Sequence, residues 1–134
     1  MATILQTFGA NTPLTVTGLA TLAAGATVAS DEIDNSGGHL VADIEIVSDT
    51  SASSTKTADV YYMGANDLGE YPNIDVLDNL TFIMALNVTS LSPKINRRIE
   101  QLPEYFKIVV KNSDGTYALS GAAIEYQFAD LTND

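Results

Sequence analysis

GATVASDEIDNSGGHLVADIEIV, residues 25–47, is the stretch whose reading decides the fold. Its last part alternates strictly. Leu40, Ala42, Ile44 and Ile46 fall on one face, and Val41, Asp43, Glu45 and Val47 on the other. Side chains on a strand change face at every residue, so this spacing buries the first set and wets most of the second. Before it come a tight turn (Ala23, Ala24, Gly25), a β-prone run from Ala26 to Ser30, and an acidic turn closing on Gly37 and Gly38. A strand wetted on one face belongs to an antiparallel sheet with a single dry interior.

The same pattern recurs outward from this segment. Residues 3–8 read as a strand, broken by Gly9 to Pro13, and Leu14 to Thr17 form a second β-prone run. Ala58, Val60, Tyr62 and Gly64 alternate with Asp59, Tyr61 and Met63. Phe82, Met84, Leu86 and Val88 face away from Ile83, Ala85, Asn87 and Thr89. Residues 94–101 alternate weakly. Phe106, Ile108 and Val110 point inward against Lys107, Val109 and Lys111, and Ile124, Tyr126 and Phe128 against Glu125 and Gln127. Asp114-Gly115 signals a hairpin turn, and the tail Thr132 to Asp134 reads as frayed. These runs predict about eight or nine strands and no long amphipathic helix. The expected fold is all-β: an antiparallel, jelly-roll-like β-sandwich in one domain, 1–134, with residues 1–17 as an extended N-terminal arm. Residues 65–79 form a long loop rich in Asn, Asp, Gly and Pro; loops of this length in a small domain are usually functional or interface elements.

Composition narrows the function. The 134 residues suit one core. Only 17% are charged, against about 25% in an ordinary soluble domain, which suggests that part of the surface does not face water. The formal net charge of −11 opposes broad contact with nucleic-acid phosphates or anionic membranes. With no cysteine, disulfides, thiolate zinc sites and cysteine nucleophiles are excluded. No basic stretch followed by an apolar run opens the chain, and no membrane-length apolar run occurs, so synthesis in a cytoplasm without export is expected.

Residues that could carry chemistry are sparse. His39 is the single histidine. Acid–base and nucleophilic catalysis need a positioned partner, and beside two glycines His39 reads as a polar edge residue. Nucleophile elbows, phosphate loops and zinc-helix motifs are missing, so no enzyme and no cofactor are expected. Asp31, Glu32 and Asp34, and Asp67, Glu70, Asp75 and Asp78, could offer oxygens to calcium, but lack the spacing of a calcium loop and read as solvated turns. Lys94, Arg97 and Arg98 gather half of the six basic residues into five positions. In so acidic a chain this is either a solvated strand or a basic patch on which an acidic neighbour docks. Six scattered tyrosines and no Trp weaken a sugar-stacking role.

The run LATLAAGATVASDEIDNS, residues 19–36, resembles small virion proteins of tailed bacteriophages, in which a Leu-Ala-x-Leu-Ala-x-Gly stretch precedes Ile-Asp-Asn-Ser and an alternating strand. The likeness continues through Ala58 to Gly64 and through PEYFKIVVKN, residues 103–112, and covers most of residues 14–128 in pattern more than identity. It implies a sandwich that serves as a capsid decoration (cement) protein, and it brings no catalytic residues.

The expectation is a non-enzymatic phage structural protein that binds the outside of the mature head and stabilises it. Its partners would be the major capsid protein and itself, as a homotrimer; it would be made in the host cytoplasm and reside on the virion exterior. Ile4, Leu5, Phe8 and Leu14 from the N-terminal arm, Tyr71, Ile74 and Val76 from the long loop, and Arg97 and Arg98 are the expected interface residues. Val41, Val47, Ile83, Ala85 and Val109 are expected to face neighbouring subunits. The alternatives are a tail, neck or fibre-base component, and a carbohydrate-binding sandwich module.

Overall fold

The computed structural model describes residues 4–19, 21–47, 56–65, 70–88, 94–113, 119–120 and 122–133. These residues hold twelve strands: β1 (Ile4–Phe8), β2 (Thr12–Leu14), β3 (Thr21–Leu22), β4 (Thr27–Ala29), β5 (Ile33–Asp34), β6 (Val41–Val47), β7 (Lys56–Ala65), β8 (Thr81–Val88), β9 (Lys94–Ile99), β10 (Tyr105–Asn112), β11 (Leu119–Ser120) and β12 (Ala123–Asn133). A 3-10 turn spans Leu77–Asn79. The front sheet has the order β1-β12-β6-β9, with β2 also on β12; the back sheet has the order β4-β10-β7-β8, with β5 also on β10. A short β3–β11 pair stands apart.

The topology is that of one long hairpin rolled up. β1 and β2 pair with β12, β4 and β5 with β10, β6 with β9, and β7 with β8, all antiparallel. Rolling this ribbon brings β12 beside β6 and β10 beside β7, which closes the two sheets. That is the jelly-roll arrangement, with eight strand positions of which two are broken. The expected strands match those positions except the second: the run expected at Leu14 to Thr17 is instead β2, Thr12–Leu14, which crosses the expected break at Pro13, and the surplus is short pieces such as β5.

The core lies between the sheets. Ala42, Ile44, Ile46, Ile99 and Ile124 from the front meet Ala58, Val60, Met84, Phe106, Ile108 and Val110 from the back, all fully or nearly fully buried. The decisive strand behaves as its alternation says from Ala42 onward. Leu40 does not: it lies outside β6 and is 51% exposed, its N–H tied to the Asp130 carboxylate instead of a ladder. Val41 is buried although it alternates with the core set.

Three buried polar residues hold the breaks between strands. Ser30 separates β4 from β5; its hydroxyl accepts from Ile108 N–H and donates to the Asp31 carbonyl. Asn35 ties the acidic turn to Pro103, donating to the carbonyls of His39 and Pro103 and accepting from His39 N–H. The turn closes through Gly38, whose φ of +76° suits glycine. Asn112 reaches the Leu22 carbonyl and so docks the β3 segment. Each polar group is satisfied, as burial demands. Gly64 is needed for space: a Cβ there would lie 2.7 Å from Pro103 Cγ.

A bulge in β8 changes what faces where. Val60 pairs with Met84 but Tyr61 pairs with Phe82, so Ile83 is an extra residue. Met84 therefore enters the core while Phe82, two residues away, lies with Tyr61 on the outer face. Strict alternation had put them together. The expected N-terminal arm is also revised. β1 and β2 pair along β12, with Ile4–Thr7 opposite the end of β12 that extends beyond β6, and β12 runs to Asn133 opposite Ile4 instead of fraying.

Candidate interaction surface

The outer face of the back sheet is apolar, and the chain covers it itself. Tyr61, Met63 and Val109 project from this face and are buried, packed with Ala29, Tyr71, Ile74 and Leu80. Residues 70–80 thus lie across the sheet as a second, smaller hydrophobic layer. This corrects the expectation for Val109, which is fully buried beneath the chain's own loop and not offered to a neighbour. Val41 is likewise closed off, and Ile83 packs half-buried against the main core. Of that outward set, Ala85 is exposed and Val47 half-buried.

Tyr71 pins the layer down. Its hydroxyl donates to Glu32 Oε2 at 2.7 Å, and Lys107 Nζ sits 4.7 Å from the centre of its ring. Burial, followed by the neighbouring Glu32 carboxylate, pushes the phenol well above its ordinary pKa, so it remains the donor. Asn73 braces the next turn: its side-chain oxygen accepts from Asp75 N–H, and its carbonyl accepts from Asn79 Nδ2. Backbone bonds from Val76, Asn79 and Leu80 close the 3-10 turn.

This bracing holds two large apolar side chains outward. Val76 is 45% and Leu77 60% exposed, and Phe82 on the same face is 56% exposed with its ring edge-on to Tyr61 at 5.8 Å. Ile74, Leu77 and Leu80 line a small cleft of about 140 Å3 with Gly25, Thr27 and Lys111. Of the loop residues expected at an interface, Val76 is presented outward, whereas Tyr71 and Ile74 are half-buried against the chain's own sheet. Leu77 and Phe82 were not singled out. Leu77 sits in a polar loop without periodicity, and the bulge hides Phe82.

Arg97 and Arg98 leave β9 toward different sides. Adjacent residues on β9 point to opposite sides, so Arg98 lies opposite Asp43 on the outer face while Arg97 stands opposite the core residue Ile44. Arg98 makes a two-pronged bond to Asp43, 2.8 and 3.0 Å, which raises its pKa further. Arg97 donates to the Asn96 carbonyl, and both arginines line a cleft of about 270 Å3 between β8 and β9, with Tyr62, Phe82 and Ile83. Among the N-terminal residues, Phe8 is 54% exposed and Leu14 packs against the main core. Ile4 and Leu5 are placed by register alone, opposite Asn133 and Thr132.

The middle of the outer face of the front sheet is polar. Asn11, Asp43, Glu45, Asn96 and Gln127 line an open cleft of about 530 Å3. Gln127 donates to the Gly9 carbonyl, and Asn11 to Glu125 at 2.6 Å. His39 stands at one end of this sheet, stacked on Phe128 at 4.5 Å, with Nδ1 2.8 Å from Asp130 Oδ2. A carboxylate accepts only, so Nδ1 carries the hydrogen. The bond from His39 holds the Asp130 carboxyl below its ordinary pKa.

Two of the acidic candidates for calcium are engaged locally. Glu32 takes the Tyr71 hydroxyl and Asp34 the Ser36 N–H. Asp67 lies outside the described residues, and among those described no three His, Asp or Glu side chains converge as a metal site. No described helix is long and apolar enough to cross a membrane. No protein-family model and no curated protein matches this chain.

Proposed function

We propose that this chain is a non-enzymatic structural protein of a tailed-phage virion, a decoration protein that binds the outer surface of the mature head. The observation that carries the reading is the braced loop on the back sheet, which holds Val76 and Leu77 outward. A loop fixed before binding loses little entropy on docking, and apolar anchors contribute most of the affinity at such surfaces. A rigid sandwich bound across neighbouring capsid subunits stabilises the assembled shell by mass action, because it binds the lattice and not its separated subunits. The test is co-sedimentation with mature heads, followed by thermal disruption of the loaded heads. Wild type is expected to bind and to raise the disruption temperature, and Leu77→Asp to weaken binding about tenfold or more. Absent binding, or full binding by Leu77→Asp, contradicts the reading.

The polar cleft on the front sheet favours one second reading, a carbohydrate-binding module. Amide and carboxylate side chains such as Asn11, Asp43, Asn96 and Gln127 are the groups that hydrogen-bond sugar hydroxyls. A glycan array decides it: hits abolished by Gln127→Ala support the module, and an empty array removes it.

A further inference from the structure

We infer that β1 is a strand-addition edge whose occupant is β1 of a second copy of this chain, paired antiparallel about a two-fold axis so that two front sheets become one. An open strand edge is a template for another strand, and folded proteins normally blunt such edges with charge, proline, a bulge or shortness. The other edges here are blunted. β9 carries Lys94, Arg97 and Arg98; β2 contains Pro13; β4 and β5 have three and two residues; β8 is bulged at Ile83. β1, Ile-Leu-Gln-Thr-Phe, has none of these protections, and no described strand pairs with its outer side.

The ribbon is also held out firmly. β6 stops opposite Ala129, so residues 130–133 of β12 pair with β1 alone. Its base is clamped by the bond from Gly9 N–H to the Phe128 carbonyl, by Gln127 on the Gly9 carbonyl, and by Asp130 between His39 and the Leu40 N–H. A two-stranded ribbon is marginal in water by itself, and joining two of them through β1 makes a four-stranded sheet that relieves this.

The register identifies the docking groups. Gly9 is bonded to β12, and bonded pairs alternate along an antiparallel ladder, so Thr7 and Leu5 also turn their backbone groups to β12. Ile4, Gln6 and Phe8 then present N–H and C=O outward. These three positions are self-complementary when two strands cross at Gln6, with Ile4 of each copy opposite Phe8 of the other. A second copy is the favoured occupant for two reasons. An isologous edge matches itself without further design. In a chain of net charge −11, β1 itself carries no carboxylate, so pairing two copies of it brings no like charges of the strand together.

The test is light scattering coupled to size exclusion on the full chain, for wild type and Gln6→Pro. Proline removes the outward N–H of Gln6 and leaves the bonds of Thr7 and Leu5 to β12 in place. Wild type is expected at twice 14.2 kDa and Gln6→Pro at 14.2 kDa with unchanged circular dichroism. Phe8→Lys, which adds charge to the edge at an exposed side chain, reads the same if the proline variant does not fold. A monomeric or trimeric wild type, or a dimer that survives both substitutions, overturns the proposal. The measurement uses the chain alone, so its failure leaves the decoration reading standing on its own test.

Discussion

The two outer faces of this sandwich begin from the same alternation and end differently. On β6 the outward residues include Asp43 and Glu45, and the front sheet meets water through Arg98, Asn96 and Gln127. On the back sheet the outward residues include Tyr61, Met63 and Val109, and the chain folds residues 70–80 over them. An outward set that is polar predicts a wet face. An apolar set predicts a cover, and the nearest long loop can supply it before any partner does.

The contrast predicts that equal substitutions cost unequal amounts. The largest effect is expected for Val109→Asp, which buries an unpaired carboxylate beneath the loop and should cost about 4 kcal/mol in urea unfolding. A polar change at Glu45 on the front face should stay within about 0.5 kcal/mol. If the two lose equal stability, the loop is not a cover.

Tyr71 sharpens the same comparison. Tyr71→Ala should cost about 3 kcal/mol, since it removes the ring that seals the second layer. Tyr71→Phe should cost about 1 kcal/mol, the net value of its bond to Glu32. Amide exchange in residues 73–80 should quicken in step with these losses. On the front face, Arg98→Ala is expected to cost about 0.5 kcal/mol, because its pair with Asp43 is partly exposed and screened.

The smallest effect concerns pH. The Asp130 carboxyl is depressed below its ordinary 3.8, so its contribution is present above that value and is lost as pH falls through the lower, folded-state pKa. Asp130→Asn should therefore lower the melting temperature at neutral pH and flatten its fall on the acid side of 3.8. A variant with the wild-type acid limb would remove the His39–Asp130 clamp from the account.

Several parts of this arrangement were legible early for a plain reason. Ile44, Ile46, Ile108 and Val110 bury themselves because alternation is a local property of extended chain. Phe82 and Met84 part company because a bulge depends on the pairing of β8 with β7, which neither strand encodes alone. Arg97 and Arg98 are neighbours in a line of text, but only Arg98 falls opposite Asp43, a pairing that the register of β9 on β6 decides. The candidate surface was half visible: the long loop and Val76 stood out, while Leu77 and Phe82 needed the fold to place them.

By itself, the sequence determined the class, a single all-β sandwich, because periodicity of two and frequent turn residues are written residue by residue. It also determined the acidic, cysteine-free character that excludes disulfides and thiolate sites. The tertiary structure decided which strands meet, which outward apolar residues are covered, and which edge lacks protection. Those outcomes depend on contacts between residues far apart in the chain, such as Tyr71 with Glu32 or β1 with β12, and local pattern carries no record of them.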